Sequence, residues 1–175
     1  RPQEGYLFPD TYFFLPNANA DTVIETMSQN FNAQIASIAP PLASSTHAVS
    51  DIIKMASIVE KEARTDQDRK LIAGVLWRRI RLGMPLQSDV TFLYIGKNPS
   101  LLTTSDLKSD SPYNTYTHKG LPPTPIDSPS LASIEASAQP VDKGYLFYLA
   151  DHSGVTHYCK TYACQLANER TYLGH

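Results

Sequence analysis

Apolar residues recur at helical spacing along three long stretches of the chain. From Asp21 they are Val23, Ile24, Met27, Phe31, Ile35 and Ile38, preceded by several cap-forming residues between Asn17 and Asp21. Pro40-Pro41 is expected to end that helix, and residues 42–49 read as a loop. Ser50 can cap a second helix, DIIKMASIVEKEART, running to about Thr65. Gln67–Leu82 reads as a third. Leu71, Ile72, Val75, Leu76 and Ile80 form its apolar face, Arg78, Arg79 and Arg81 its polar side, and Gly83 its stop. Shorter helices are predicted over Thr104–Lys108, over Ser130–Ala138 (stopped by Pro140) and over Thr161–Tyr172.

Period-two patterning appears in two places. Tyr6, Phe8, Tyr12 and Phe14 alternate through residues 4–16, which suits extended structure or a strand. Residues 144–150, GYLFYLA, form the best strand pattern, with Asp151–Gly154 as a turn and Val155–Cys159 as the return strand of a hairpin. Residues 84–98 read as a loop plus a short helix or strand. Residues 112–130 hold too many prolines for a central strand or a long helix. The order predicts an α+β fold, with central helices packed on a small, mainly antiparallel sheet that ends in a C-terminal β-hairpin. The N-terminal aromatic segment is a candidate extra strand. We read residues 1–175 as a single domain, with 1–45 as a candidate N-terminal subdomain.

Composition narrows the function classes. The 175 residues are 42% hydrophobic and 18% charged, which is globular, and the formal net charge of -2 leaves no basic footprint for nucleic acid. No apolar run is long enough to cross a bilayer, and there is no signal peptide. The chain opens abruptly on Arg1-Pro2-Gln3, as a fragment would. Thirteen prolines predict rigid, irregular connections. Cys159 and Cys164 are too few for a disulfide framework; a local bridge and two unpaired thiols both remain open.

Two carboxylates on the second helix are candidates for acid–base chemistry. At about 100° per residue, Ile52, Val59 and Ala63 define the buried direction. Glu60 falls between Ala56 and Ile53, and Glu62 between Met55 and Ile58, on the opposite flank. An acid in partly apolar surroundings has its pKa raised, as a general acid near neutral pH requires. Two boundary salt-bridge partners, for example Glu60 with Arg64, would have the same pattern. Periodicity alone does not choose between the two residues.

A second constellation joins aromatic and amide groups. Tyr113, Asn114, Thr115 and Tyr116 offer stacking faces and hydrogen bonds of the kind sugars use, and Gln87, Ser88 and Asp89 form a polar triplet after a helix stop. The two tyrosines could equally pack the loop down. His47, His118, His152, His157 and His175 are scattered without zinc-protease spacing, although His152 and His157 flank a turn. P-loop, Rossmann and G-x-S-x-G signatures are absent.

Five blocks in order resemble the YceG-like (MltG-type) endolytic transglycosylases of bacterial cell-wall synthesis. They are EGYLFPDTYFF (4–14), ASIVEKEA (56–63), VLWRRIRLGMPLQSDVTFLY (75–94), SPYNTYTHKGLPPTPIDSPS (111–130) and the C-terminal YLFYLAD…HYCKTYACQLAN. Val90 stands where that family often has Pro, and Cys159 where an aromatic residue is common.

The resemblance implies cleavage of the MurNAc–GlcNAc β-1,4 bond within glycan strands, leaving 1,6-anhydroMurNAc ends, with no metal or organic cofactor. It implies Glu60 as the single residue acting first as acid and then as base. Gln87, Ser88, Asp89, Tyr113, Asn114, Thr115 and Tyr116 become candidates for positioning glycan, with Glu4 as a further one. Peptidoglycan strands are the implied partner, with peptidoglycan synthases suggested by the family. The implied location is the inner membrane, through an N-terminal anchor and a LysM-like domain ahead of this chain, with the catalytic domain on the periplasmic or extracellular side. Two alternatives carry over: a hydrolytic muramidase using Asp89 as second carboxylate about 5–9.5 Å from Glu60, and a non-catalytic peptidoglycan-binding or scaffold module.

Overall fold

The computed structural model describes residues 3–174. Seven α-helices are found among them: α1 (Ala20–Ser37), α2 (Ala39–Ser44), α3 (Val49–Glu62), α4 (Asp66–Arg81), α5 (Thr104–Leu107), α6 (Leu131–Ala138) and α7 (Tyr162–Asn168). Asp89–Ile95 and Pro99–Leu101 form 3-10 turns, and α7 continues into a wider turn over Glu169–Leu173. Strands β1 (Phe147–Ala150) and β2 (Thr156–Cys159) pair antiparallel, with Tyr148 opposite Tyr158. The fold is mixed α+β.

The sequence explains most of these boundaries. Asn19 caps α1 and Thr65 caps α4, each side chain accepting an N–H from the first turn. Thr103 and Asp106 make a reciprocal capping box on α5. The proline pair behaves differently from expectation. Pro40 and Pro41 do not simply end a helix; they open α2, where missing N–H groups would be unpaired anyway. α3 begins at Val49 after Ala48, without a side-chain cap, so Ser50 is not its cap.

α3 is the centre of the molecule. Ile52, Ile53, Met55, Ala56, Ile58 and Val59 are all buried, so the helix is covered on more than one side. Met55, Ile58 and Val59 share one apolar cluster with Ile72 and Leu76 of α4, with Leu86, and with Tyr148 and Tyr158 from the hairpin. Ile52, Ile53 and Ala56 share a second with Phe8, Phe31 of α1 and Ile134 of α6. Gly74 lies where α4 meets the backbone of Val141, and an added Cβ would collide with that carbonyl.

The N-terminal aromatic segment is not a strand. The sheet has two strands, β1 and β2, among the described residues. Residues 4–16 instead lie along α1: Tyr6 packs edge-on to Phe31 at 5.2 Å, and the Phe8 N–H donates to the Met27 carbonyl at 3.3 Å. Their alternation reflects burial against a helix, with Phe8 inward and Phe13 out. Cys159 and Cys164 are joined by a disulfide that ties the end of β2 to α7. No helix among the described residues is long and apolar enough to cross a membrane.

Candidate active site

The two carboxylates of α3 diverge as the helical angles require. Glu60 points to the start of α6. Its Oε2 accepts from the Ser130 N–H (3.1 Å), the Ser130 hydroxyl (2.6 Å) and the Ser133 hydroxyl (2.5 Å). Arg69 donates to the Ser133 oxygen at 3.1 Å and adds a positive field. Burial pushes the Glu60 pKa up, but these hydrogen bonds and Arg69 outweigh it and hold the pKa below the ordinary carboxylate value. Glu60 is thus a carboxylate that staples α3 to α6. These donors favour the ionised form of Glu60. Nor does Glu60 line the cleft that holds the sugar-binding candidates.

Glu62 faces the other way, into that cleft of about 520 Å³. The Ser88 hydroxyl donates to its Oε1 at 2.5 Å. Burial of the carboxyl raises the Glu62 pKa; hydrogen bonding from Ser88 and Tyr148 opposes this, and the nearby Asp89 charge adds to it, leaving the pKa raised. The walls are Arg79 of α4, the Gln87–Val90 loop, Tyr116, Phe147–Leu149 of β1, and Tyr162, Gln165 and Glu169 from α7 and the turn after it.

The loop that delivers Ser88 is strained and braced. Gln87 has φ 54, the only positive φ outside glycine among the described residues. Its N–H donates to the Thr115 carbonyl at 3.0 Å, and its Oε1 accepts from Arg79 at 2.5 Å. Arg79 also donates to the Leu86 carbonyl at 2.9 Å and lies over the Phe147 ring. Ser88 is itself buried, its N–H held by the Thr115 hydroxyl at 3.0 Å. Asp89 accepts a 2.5 Å bond from the Tyr116 hydroxyl, whose pKa burial and the Asp89 and Glu62 charges drive far up.

The cleft gathers some expected residues and excludes others. Gln87, Asp89 and Tyr116 line it, and Ser88 touches its carboxyl. Thr115 is buried behind the loop. Asn114 is fully buried; its amide donates to the carbonyls of Asp106 (3.3 Å), Leu107 (3.1 Å) and Ser109 (2.8 Å). Neither can reach a glycan, because their polar atoms are already spent on the scaffold. Tyr113 bonds Thr124 at 2.8 Å and packs on Tyr94, with Glu4 near it and neither lining the cleft. Of the two glutamates, Glu62 lines this cleft, whereas Glu60, the acid that the family resemblance implies, faces the start of α6.

Arg79, Tyr148, Gln165 and Glu169 are cleft residues that sequence reasoning missed. Arg79 carried a readable signal: it lies seven residues from Ile72 and four from Val75, on the buried face of α4, although grouped above with the polar side. Gln165 and Glu169 had none, since their position depends on where α7 docks. His157 pairs with Asp151 at 2.8 Å and stacks on Tyr172. A larger cavity of about 870 Å³ lies between the start of α4 and the hairpin, but there Asp68 and Tyr158 are bonded to each other at 2.6 Å.

A half-buried carboxyl of raised pKa, bonded by a serine and lining an open cleft, has the setting that an acid–base enzyme working with one carboxyl group requires. The chain belongs to the YceG-like family, whose model matches residues 1–171. It is 38% identical over 162 residues to the endolytic murein transglycosylase of Bacillus subtilis strain 168, covering 91% of this chain and 45% of that protein. It is 39% identical over 154 residues to the endolytic murein transglycosylase of Streptococcus pneumoniae D39, covering 85% of this chain and 28% of that protein. The crystal structure of a yceG-like protein from Listeria monocytogenes superposes with TM-score 0.88 at 39% identity, over 95% of this chain and 55% of that one. The chain therefore spans less than half the length of these two curated relatives.

Proposed function

We propose that this domain is the catalytic part of an endolytic murein transglycosylase, with Glu62 as its acid and base. The observation that carries the reading is the half-buried Glu62 carboxyl, which lines the cleft, is raised in pKa and is bonded by Ser88. Murein is the substrate named for the two curated relatives. It lies outside the cytoplasm, so the domain works there. Synthases of the same polymer are its proposed neighbours, and a membrane anchor would belong to sequence ahead of this chain.

The chemistry balances with one carboxyl group. Protonated Glu62 gives its proton to the glycosidic oxygen as the bond between C1 of MurNAc and O4 of GlcNAc breaks, GlcNAc leaves with that proton on O4, and an oxocarbenium-like state develops at C1. The sugar's own C6 oxygen then bonds to C1, and its proton returns to the Glu62 carboxylate. The product is a 1,6-anhydro end, no water is consumed, and the enzyme leaves in its starting form. Ser88 donates to Oε1 of this carboxyl and Tyr148 lies beside it, which holds the group in the cleft wall. Gln87, Asp89 and Tyr116 line the path for the sugar.

One observation favours a second reading. Asp89 shares the cleft with Glu62 and acts on it electrostatically, so it could activate a water in an ordinary hydrolase. Digestion of uncrosslinked glycan strands, followed by mass spectrometry, tests both. Anhydro ends that disappear in Glu62→Gln and persist in Glu60→Gln support the first reading. Reducing ends would support the second. Unchanged cleavage by Glu62→Gln would defeat both.

A further inference from the structure

The wall of the cleft opposite the Gln87–Asp89 loop is built by α7, and it contains a polar group with nothing to bond. Gln165 is 8% exposed, and its Oε1 has no hydrogen-bond partner among the described residues. Its amide orientation follows from its neighbour. Nε2 donates to Glu169 Oε1 at 3.2 Å, and a carboxylate accepts only, so the NH₂ must face Glu169 and the carbonyl oxygen must face away. A buried acceptor left unpaired destabilises the fold, and an unpaired buried group in a native structure calls for a partner from outside the fold or a role in function. Both residues line the cleft that holds Glu62.

The wall is also held in place from three sides. The Cys159–Cys164 disulfide bonds α7 to β2. The Thr161 hydroxyl caps the helix by accepting the Cys164 N–H at 3.2 Å. Phe147 of β1 packs against Tyr162 at 5.8 Å. A seven-residue helix at the edge of a domain would fray without such ties. Here the ties hold α7, and Gln165 with it, at the cleft wall.

We infer that Gln165, oriented by Glu169, is a specificity-determining residue that accepts a hydrogen bond from an uncharged donor of the glycan, a sugar hydroxyl or an acetamido N–H. The inference rests on the reading of this cleft as the glycan-cleaving site. On this inference the Gln165 carbonyl, covered in the free protein, turns toward the sugar when glycan enters, while the disulfide holds its helix against β2.

The test separates binding from folding. In Gln165→Leu, a substitution of similar size, the unpaired acceptor is gone, so the melting temperature should stay level or rise. KM for soluble uncrosslinked glycan strands should rise about tenfold with kcat within about twofold, since one hydrogen bond to a neutral group contributes about 0.5–1.5 kcal/mol and an unpaired donor on the ligand adds to the loss. Repeating the assay with de-N-acetylated strands identifies the donor. If the variant no longer distinguishes the two polymers, the acetamido N–H is the partner; if it weakens both equally, a hydroxyl is. Unchanged KM overturns the inference, and so does a fall in melting temperature accompanied by equal losses in kcat and KM. Glu62→Gln tests the underlying reading by itself: full cleavage by that variant removes the active-site assignment whatever Gln165 does, whereas a dead variant that still binds glycan leaves Gln165 to be judged on its own data.

Discussion

Glu60 and Glu62 stand two residues apart on α3 and have opposite protonation preferences. Glu60 receives three hydrogen bonds on one oxygen from the start of α6, whereas Glu62 meets Ser88 and Tyr148 in a half-buried setting beside the Asp89 charge. Two steps of about 100° put them on opposite flanks of the helix. One flank meets a helix N-terminus rich in donors, and the other meets a strained loop and the apolar side of the hairpin. The pair therefore separates structure from chemistry. Glu62→Gln should lower kcat by about 10²–10⁴-fold, the range for a lost general acid, measured by release of anhydro products. Glu60→Gln should keep kcat within a few-fold.

Glu60 should matter to stability instead. Glu60→Ala leaves the Ser130 N–H and two hydroxyls without their acceptor, a loss of about 1–3 kcal/mol. The pH dependence has a definite sign. The folded pKa of Glu60 lies below its unfolded value, so its contribution is full above the unfolded pKa and fades as pH falls through the folded one. Thermal melts of wild type and Glu60→Ala should differ most near neutral pH and converge in acid.

Glu62 has the opposite linkage. Its folded pKa is raised, so at a pH above the unfolded value the unfolded chain gives up a proton that the folded chain keeps, and stability falls. Glu62→Gln should therefore melt higher than wild type at neutral pH, by roughly 2–4 °C per kcal/mol regained for a chain of this size. The difference should vanish below the ordinary carboxylate range. A variant that loses activity while gaining stability is the signature of a group held in an unfavourable state for use.

The sequence made the helices and the hairpin legible because their periods of 3.6 and two are local properties. It placed both glutamates on the shoulders of α3 for the same reason. What each shoulder meets is a tertiary fact. Ser130 and Ser133 lie about 70 residues beyond Glu60, and Ser88 26 residues beyond Glu62. Asn114 and Thr115 had the composition of a sugar site, yet folding spends their polar atoms on carbonyls and on the Ser88 backbone. Only Tyr116 of that block reaches the cleft, because its ring extends past the loop to Asp89.

The pH–rate profile should respond to Tyr148. Its half-buried side chain lies beside Glu62, and its hydrogen bonding opposes the rise in the Glu62 pKa. Removing the hydroxyl in Tyr148→Phe should raise that pKa further. With Glu62 as the proposed acid, active when protonated, the alkaline limb of kcat/KM should then shift to higher pH. A shift to lower pH, or none, would contradict Tyr148 as a group acting on the acid.

Arg79 is the brace on which the strained loop depends. Its guanidinium reaches two acceptors at once, the Leu86 carbonyl and the Gln87 side chain, from a site that is 6% exposed. Lysine keeps the charge but cannot span both acceptors with a planar fork. Arg79→Lys should therefore lose about 1–3 kcal/mol of stability, because one buried acceptor goes unpaired. The more telling effect is on catalysis. Without the fork, Gln87 is free to leave its φ of 54, and Ser88 moves with it. Loss of that register loosens the bond that fixes Glu62, so kcat should fall about tenfold or more while glycan affinity changes less, since misplacing a reacting group by an ångström costs on the order of 10²-fold. Steady-state kinetics of Arg79→Lys beside Ser88→Ala, and of the double variant, decide the point. If Arg79 works through Ser88, the two losses will not add.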